Sequence, residues 1–183
     1  MKRWIKWTAG AVGIVGAVAL FVVPKAATSA LPVGAKAPDF TTRGALAGKV
    51  FTLTLSDQLK KGPVVLYFFP AAFTPGCTAE AREFAEATDR FRAAGATVIG
   101  MSADPVDMLA KFSVQECRNK FAVASAGPAV IKDYDVALPV GGMTNRTSYV
   151  IAPTGRVAYV HSAMSYKDHV KNTLAAVESM KAR

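Results

Sequence analysis

Cys77 is the residue of this sequence whose position best suits it to chemistry. It follows an apolar run, residues 64–69, that stops at Pro70, and it stands where a helical pattern begins. A helix N-terminus offers unpaired backbone N–H groups and the positive end of the helix dipole, which stabilise a thiolate over a thiol. Because the thiolate is the nucleophilic form, this placement predicts a nucleophile. Position alone leaves two alternatives open, a buried inert cysteine and one half of a structural disulfide.

Two predicted elements position this cysteine. Residues 64–69 form a continuous run of β-branched and aromatic side chains, which is typical of a strand buried on both faces. Beyond Pro70, apolar side chains recur at helical spacing, which predicts a helix that ends at Gly95 and directs the thiol toward the core. The apolar face holds Cys77, Ala81, Phe84, Ala85, Thr88 and Phe91, whereas Glu80, Glu83, Glu86 and Arg90 fall elsewhere.

The spacing of Pro70, Thr74 and Cys77 gives the motif Pro-x-x-x-Thr-x-x-Cys. This motif resembles the active-site signature of the peroxiredoxins, and every fixed position of that signature is present. The similarity runs from residues 37–40 to Arg146, which is nearly the whole chain after its N-terminal segment. The local variant Thr-Pro-Gly-Cys-Thr-x-Glu is most similar to the Q-type branch, also called bacterioferritin-comigratory proteins.

The resemblance implies a thiol-dependent peroxidase that reduces hydrogen peroxide or organic hydroperoxides. It implies that Cys77 is the nucleophile, that the Thr74 hydroxyl orients a peroxide oxygen, and that Pro70 limits the access of water to the sulfur. It further implies that Arg146 stabilises the thiolate and holds the peroxide, since a guanidinium stays charged and offers several donors. For Glu80, a local helix-capping role is expected, with a contact to the arginine as the alternative.

Attack on a peroxide leaves a sulfenic acid, which another thiol must reduce. The second cysteine, Cys117, lies in a segment from Pro105 to about Lys120 that reads as a helix, with Cys117 facing the core. From the resemblance we expect Cys117 to be the resolving cysteine, which forms an intramolecular disulfide after local unwinding and is recycled by a thioredoxin-like or other dithiol reductant. Two alternatives stay open: a one-cysteine peroxidase with Cys117 as a buried bystander, and a peroxide-sensing relay protein without efficient turnover.

Residues 1–30 have the composition of an export signal. Three basic residues among the first six precede an apolar stretch of 15 residues at 9–23, and small residues follow at 28–30. This pattern predicts a signal peptide, or an uncleaved membrane anchor in which residues 5–23 tether the protein. Residues 31–183 are expected to form one peroxiredoxin domain in the periplasm, either soluble or anchored to the inner membrane.

Composition argues against several classes of partner. The net charge is +9, but four basic and no acidic residues lie in the first 30 positions, which leaves +5 for residues 31–183. There is no long basic run with interleaved aromatic residues, so no nucleic-acid partner is predicted. Two cysteines and the scattered His161 and His169 predict no metal site, and no nucleotide-binding fingerprint is present. Thiol peroxidase chemistry needs no cofactor.

Strands that alternate with helices predict an α/β domain, and the resemblance implies the thioredoxin-like fold, with a central mixed sheet flanked by helices. Pro153 and Gly155 stand where a type I turn takes them, between the last two predicted strands. The Q-type resemblance favours a monomer. The predicted strands are 51–55 (alone or in a hairpin), 64–69, 96–101, 121–125, 147–151 and 156–161; the predicted helices are 77–95, 105–120, 128–134 and 166–180.

Overall fold

A computed structural model describes residues 30–139 and 141–181 of the chain. The predicted signal peptide or membrane anchor therefore lies outside the described residues, apart from Ala30. Among the helices of residues 30–139 and 141–181, none combines the length and the apolar character that a membrane span requires.

A mixed β-sheet of seven strands forms the centre of the described part, in the order β2-β1-β5-β4-β3-β6-β7. The three central strands β3, β4 and β5 run parallel, and the outer pairs are antiparallel. The predicted central mixed sheet is confirmed. The strands are β1 (Thr41–Leu46), β2 (Lys49–Thr54), β3 (Val64–Phe68), β4 (Thr97–Ser102), β5 (Ala122–Ser125), β6 (Thr147–Ile151) and β7 (Val157–Ser162).

Helices cover both faces of this sheet. The larger helices α2, α3 and α5 pack on one face, and α1, α4 and the segment before β1 pack on the other. Two apolar cores result, one on each side of the sheet. The helices are α1 (Leu55–Leu59), α2 (Pro75–Ala93), α3 (Val106–Gln115), α4 (Pro128–Asp133) and α5 (His169–Lys181).

Strand β3 is buried along its whole length, as its apolar run predicts. Alternate side chains enter opposite cores, with Val65 and Tyr67 on the side of α2 and Leu66 and Phe68 on the other. Such a strand needs cover on both faces. Because β3 lies between β4 and β6, its carboxyl end is held from two sides, and the loop that leads to Cys77 starts from there.

The apolar face predicted for α2 is confirmed, since all six of its positions are buried. The prediction was wrong for Glu80, which is also buried. Helical periodicity assigns a carboxylate to the solvent side, whereas here a cation from a distant part of the chain meets it in the core. The helix begins at Pro75. Proline lacks a backbone N–H, and this costs nothing here because an N–H in the first turn would have no acceptor inside the helix.

Two other predicted elements need correction. The chain forms a full hairpin of β1 and β2, and the prediction missed β1 because Arg43 and Gly44 interrupt the alternation of apolar residues. Gly44 suits the place where β1 passes β5, since a Cβ there would lie 3.2 Å from the Cβ of Ala124 and the neighbouring strand would have to shift slightly. The last helix begins at His169, three residues later than predicted, and ends at Lys181.

Helix α3 ends at Gln115, so Cys117 does not lie on a helix as predicted. The next residues cannot continue the helix, because Arg118 and Asn119 take left-handed backbone angles with φ of 50° and 59°. The N–H of Asn119 donates to the carbonyl of Ser113 at 3.0 Å and closes the helix end. Cys117 is nevertheless buried, as predicted.

Tyr67 places a phenol in the core beside α2. Its ring stacks on Phe84 with the ring centroids 4.2 Å apart. Gly100 makes room for it, because a Cβ at position 100 would lie 2.9 Å from the phenol oxygen. Within the described residues, that buried hydroxyl has no hydrogen-bond partner. An unpaired buried hydroxyl costs stability, since it has given up its bonds to water.

We predict that Tyr67→Phe raises the free energy of unfolding by about 1 kcal/mol, because it removes an unpaired polar atom and keeps the ring. The matched control is Tyr134→Phe, which removes a hydroxyl that donates to the carbonyl of Pro38 at 2.7 Å. The control should lower the free energy of unfolding by about 1 kcal/mol. Urea denaturation of the three proteins measures both effects, and a loss of stability in Tyr67→Phe would contradict the prediction.

Candidate active site

Cys77 occupies the first turn of α2, as its sequence position predicts. Thr74 is the N-cap residue, with extended backbone angles, and the N–H of Thr78 donates to its carbonyl at 2.9 Å. Helix geometry leaves the preceding N–H groups of Gly76 and Cys77 without acceptors inside the helix. The Cys77 sulfur therefore lies at the positive end of a 19-residue helix. The side chain is buried, with 1% of its surface exposed.

Arg146 contacts the sulfur directly. Its Nη2 donates to Sγ of Cys77 at 3.4 Å, although the two residues are 69 positions apart in sequence. The other two guanidinium nitrogens also form hydrogen bonds. Nη1 donates to Glu80, and Nε donates to the carbonyl of Met164 at 3.0 Å. Only 5% of Arg146 is exposed. The structure thus brings together the predicted nucleophile and the predicted cation.

Arg146 is held in place through the chain on either side of it. The Thr144 hydroxyl donates to the carbonyl of Phe69 at 2.7 Å, which ties this segment to the end of β3. The N–H of Asn145 donates to the carbonyl of Val136 at 2.7 Å. With β6 following directly after Arg146, the guanidinium is anchored to the same end of the sheet that carries the Cys77 loop.

Glu80 takes the second of its two expected roles, the contact with the arginine, and not the helix-capping role that was expected first. Its Oε2 accepts from Arg146 in a buried ion pair instead of capping α2. Its Oε1 has no hydrogen-bond partner among the described residues. Burial raises the pKa of this carboxyl, and the positive charge of Arg146 opposes that rise. Glu80 and the Cys77 sulfur therefore share the contacts of one guanidinium.

Thr74 and Pro70, the other two residues of the motif, bound the loop that leads from β3 to α2. Thr74 is exposed, and its hydroxyl donates to the carbonyl of Ala71 at 2.9 Å. The hydroxyl hydrogen is thus used, so Thr74 can offer a ligand only the lone pairs of its oxygen. Pro70 is half-buried at the end of β3, where the loop departs.

Residues that the motif does not contain shape the loop between Pro70 and α2. Asp104 accepts from the N–H of Ala72 and from the Ser102 hydroxyl, both at 2.7 Å. Phe73 takes a left-handed φ of 64°, and its ring packs edge-on against Phe112. The sequence reasoning missed Asp104 and Phe73. A usable signal for Asp104 was its place two residues beyond the end of a buried strand.

Cys117 lies in the same core cluster as Cys77, and both are free thiols in this structure. Burial raises the pKa of the Cys117 thiol well above its usual range. Since a thiolate is the reactive form, burial in the core disfavours reaction at Cys117. The two sulfurs are not joined in a disulfide in this structure.

Residues 116–120, which we call the Cys117 segment, are tied to α2 by three ion pairs. In the first pair α2 supplies the cation, and in the other two it supplies the anion. Two of the three are largely exposed, and each of those contributes little alone. The pairs are Arg82 with Glu116 at 2.8 Å, Glu86 with Arg118 at 3.1 Å, and Asp89 with Lys120 at 3.2 Å.

His169 packs behind Glu80. Its Nε2 donates to the carbonyl of Ala163 at 3.0 Å, so the neutral ring accepts from the Ser148 hydroxyl at Nδ1, 2.8 Å away. The same Nδ1 is 3.7 Å from Oε1 of Glu80. Burial lowers the pKa of His169 to about 4. Sequence reasoning did not connect His169 with the site.

The two histidines that the sequence analysis regarded as scattered meet here. The rings of His161 and His169 stand edge to face with their centroids 4.5 Å apart. In the part of the chain that the structure describes, no group of three or more His, Cys, Asp or Glu side chains is placed to hold a metal ion.

Residues 33–160, which include Cys77 and Arg146, match the AhpC/TSA family. The chain belongs to this family. It is 33% identical over 150 residues to peroxiredoxin Q, chloroplastic, of Triticum aestivum, which covers 80% of this chain and 67% of that protein. It is 32% identical over 149 residues to peroxiredoxin Q, chloroplastic, of Oryza sativa subsp. japonica, with the same two coverages, 80% and 67%.

Solved structures of this family confirm the predicted thioredoxin-like fold. The crystal structure of peroxidoxin BcpB from Mycobacterium tuberculosis superposes with a TM-score of 0.74 at 32% identity, over 82% of this chain and 98% of that one. A reduced 2-Cys peroxiredoxin of Plasmodium vivax gives 0.73 at 22% identity, over 82% and 96%. The similarity to the Plasmodium vivax structure supports the fold alone. The AhpC/TSA chain described here is a thiol peroxidase of the peroxiredoxin Q type.

We predict that His169 makes the stability of the folded domain sensitive to acid. Because its pKa falls to about 4 on folding, below an ordinary value near 6.5, the unfolded chain binds more protons between these values. The free energy of unfolding should therefore decrease as pH falls from 6.5 toward 4, by up to about 3 kcal/mol from this residue. Urea denaturation of wild type and His169→Gln at pH 8 and pH 4.5 isolates its share. A difference between the two proteins that is the same at both pH values would contradict the assignment.

Proposed function

We propose that the chain reduces hydrogen peroxide or organic hydroperoxides through the Cys77 thiolate. The observation that carries this proposal is the contact between Nη2 of Arg146 and Sγ of Cys77 at 3.4 Å, inside the core and at a helix N-terminus. A guanidinium and a helix dipole both favour the negative sulfur. Structural cysteines that only fill space have no need of a buried cation.

The first chemical step transfers one oxygen atom. The thiolate attacks the terminal oxygen of the hydroperoxide, an S–O bond forms, and the O–O bond breaks. Sulfur is oxidised by two electrons to a sulfenic acid, and the peroxide is reduced to an alkoxide or hydroxide, which takes a proton from water. Negative charge moves from sulfur to the leaving oxygen, so a stationary cation beside both atoms stabilises the transition state.

The residues around the sulfur divide this task. Arg146 has the donors to remain in contact with sulfur and peroxide oxygen together. The N–H groups of Gly76 and Cys77 supply further donors to an oxygen at the helix N-terminus. Thr74, whose hydrogen is taken by Ala71, accepts the O–H of the peroxide and so orients it. Pro70 borders the loop and limits the access of water.

We further propose that Cys117 resolves the sulfenic acid. Its thiol would attack the Cys77 sulfur, an intramolecular disulfide would form, and water would leave. The step requires the Cys117 segment and the first turn of α2 to open, because a disulfide needs Cα atoms within about 7 Å and correctly directed side chains. The left-handed pair Arg118 and Asn119 favours this opening, since such backbone angles are costly for residues other than glycine.

A dithiol reductant of the thioredoxin-like kind would then restore both thiols by exchange, and leave with the disulfide. The N-terminal pattern supports action in the periplasm, by a protein that is either soluble or tethered through residues 5–23. The Q-type resemblance supports a monomer. In that oxidising compartment the reductant would have to be supplied specifically, since disulfides persist there.

We predict that the purified domain consumes hydrogen peroxide repeatedly with a dithiol reductant, and that Cys77→Ser abolishes consumption. Cys117→Ser should still consume one equivalent, because the attacking sulfur is intact. Peroxide loss is followed spectroscopically, and mass mapping after one equivalent identifies the product. Wild type should show a Cys77–Cys117 disulfide, and Cys117→Ser a sulfenic Cys77, with a sulfinic Cys77 only after a second equivalent of peroxide.

Other outcomes of that experiment separate the alternatives. A sulfenic Cys77 beside a free Cys117 in wild type would exclude intramolecular resolution and leave a one-cysteine peroxidase. Oxidation of one equivalent without turnover, whatever the reductant, would favour a peroxide-sensing relay. A Cys77 that does not react with peroxide would contradict the proposed function itself.

We predict that Arg82→Gln speeds the formation of the disulfide, because it breaks one of the ion pairs that hold the Cys117 segment closed. A gain of about two- to fivefold is expected, in line with the modest strength of such pairs. The matched control is Arg90→Gln, an arginine of the same helix that pairs with Glu178 of α5 at 3.0 Å. Quenched samples analysed by mass spectrometry give the rate of disulfide formation in each variant. Equal rates in the two variants would exclude a role for the ion pair between Arg82 and Glu116.

A further inference from the structure

Five ionisable side chains form a continuous series from partly exposed His161 to the Cys77 sulfur. The ring of His161 packs against that of His169 at 4.5 Å, and Nδ1 of His169 lies 3.7 Å from Oε1 of Glu80. Glu80 binds Arg146, which donates to the sulfur at 3.4 Å. Glu80 and His169 have no exposed surface, so the inner part of this series is shielded from water.

The unpartnered oxygen of Glu80 is the unusual feature of the series. A buried carboxylate oxygen without a donor is costly, and the neighbouring Nδ1 cannot supply one while it accepts from Ser148. One additional proton removes the conflict, whether it binds Oε1 of Glu80 or Nδ1 of His169. Two groups that interact this closely titrate as a pair, so the proton belongs to both.

The Ser148 hydroxyl suits both states of the pair. It donates to Nδ1 when the ring is neutral, and its oxygen can accept when Nδ1 carries a proton. The Nε2–H remains on the carbonyl of Ala163 in either state. The ring can therefore gain and lose a proton without changing its position.

The proton on this pair changes the charge that the sulfur experiences. Without it, the Glu80 carboxylate offsets much of the Arg146 charge. With it, the guanidinium acts on Cys77 with its charge uncompensated. At distances of 3 to 4 Å and in a buried site, such a change is felt far more strongly than in water.

We propose that His169 is a positioning residue for the thiol chemistry: it shares a proton with Glu80 and so sets the charge that Arg146 presents to Cys77. This inference rests on the proposed function, because it takes Cys77 as the peroxide-reactive sulfur. The outer ring, His161, packs edge to face on His169 and is partly exposed.

Charged groups on every packed element bear on this pair. From α2, Glu83 acts on Glu80 and favours the proton. From the start of β6, Arg146 disfavours it, and so does His161 from β7 when that ring is charged. The α5 side contributes the His169 ring itself, and the loop before α5 contributes the carbonyl groups of Ala163 and Ser165 and also carries Lys167 and Asp168. From β3, the Tyr67 phenol also interacts with Glu80, and burial raises the pKa of this phenol well above its usual range, so it stays uncharged.

The test follows the reactivity of Cys77 against pH in a Cys117→Ser background, so that one thiol reports. Rates of alkylation by iodoacetamide and of single-turnover oxidation by hydrogen peroxide should show two ionisations, that of the sulfur and that of the pair. His169→Gln and Glu80→Gln should each lose the second. His169→Gln should also lower the rate of oxidation by peroxide at pH 7 about tenfold. A loss of this size is typical when a residue that orients another functional group, here Glu80, is removed.

Two further variants guard against a purely structural effect. Thr173→Ala alters a buried residue of α5 whose hydroxyl bonds only to carbonyls of its own helix, so it should keep both ionisations. Ser148→Ala is the milder change, useful if His169→Gln does not fold. Without Ser148 a neutral Nδ1 has no donor, whereas a protonated Nδ1 still faces Oε1 of Glu80, so the second ionisation should move to higher pH.

The results separate this inference from the function on which it rests. The role of His169 is overturned if His169→Gln and Ser148→Ala both keep the pH profile of the Cys117→Ser protein, or if the Cys117→Ser protein itself shows a single ionisation. The peroxidase reaction stands in either case. If Cys77 does not react with peroxide in any folded variant, the proposed function fails first.

Discussion

The site depends on one buried cation. Arg146 leaves water almost completely, and its guanidinium is compensated by the Glu80 carboxylate, by the Cys77 sulfur and by the carbonyl of Met164. Removing one partner of a buried ion pair leaves an uncompensated charge, which is far costlier than the pair itself. The elements that supply these groups are therefore constrained together: the first turns of α2, the chain that enters β6, and the loop after β7. The sheet serves to hold these three at one edge, with β3 at the centre.

The local part of this arrangement could be predicted from the sequence, because it depends on short-range patterns. The buried face of α2 follows from helical periodicity, and the burial of β3 follows from an unbroken apolar run. The position of Cys77 at a helix N-terminus needed only the strand, the proline and the onset of the helix. Arg146 was found only through the resemblance to peroxiredoxins, since no pattern around it distinguishes it from a solvated arginine.

The remaining features were predicted only in part or not at all, because their causes lie far away in the sequence. The contact of Glu80 with Arg146 was only the second of two expected roles, and the burial of Glu80 was not predicted, because it depends on an arginine 66 residues further along. His169 lies behind Glu80 because β6, β7 and α5 bring it there, and single-sequence patterns contain no such information. Cys117 shows the opposite case: its burial was predicted correctly, but on a helix that ends two residues earlier. Arg118 and Asn119 end it with left-handed backbone angles, which their residue types allow but do not predict.

The contact between Tyr67 and Gly100 joins two neighbouring parallel strands through a missing side chain. Since even a methyl group at position 100 would overlap the phenol ring, the two positions cannot vary independently. A chain that acquires alanine or a larger residue at 100 needs a smaller one at 67, and must then refill the space against Phe84 on α2. Positions 67 and 100 are thus expected to covary among close homologues. Such covariation would reflect a steric constraint between the two strands and carry no information about catalysis.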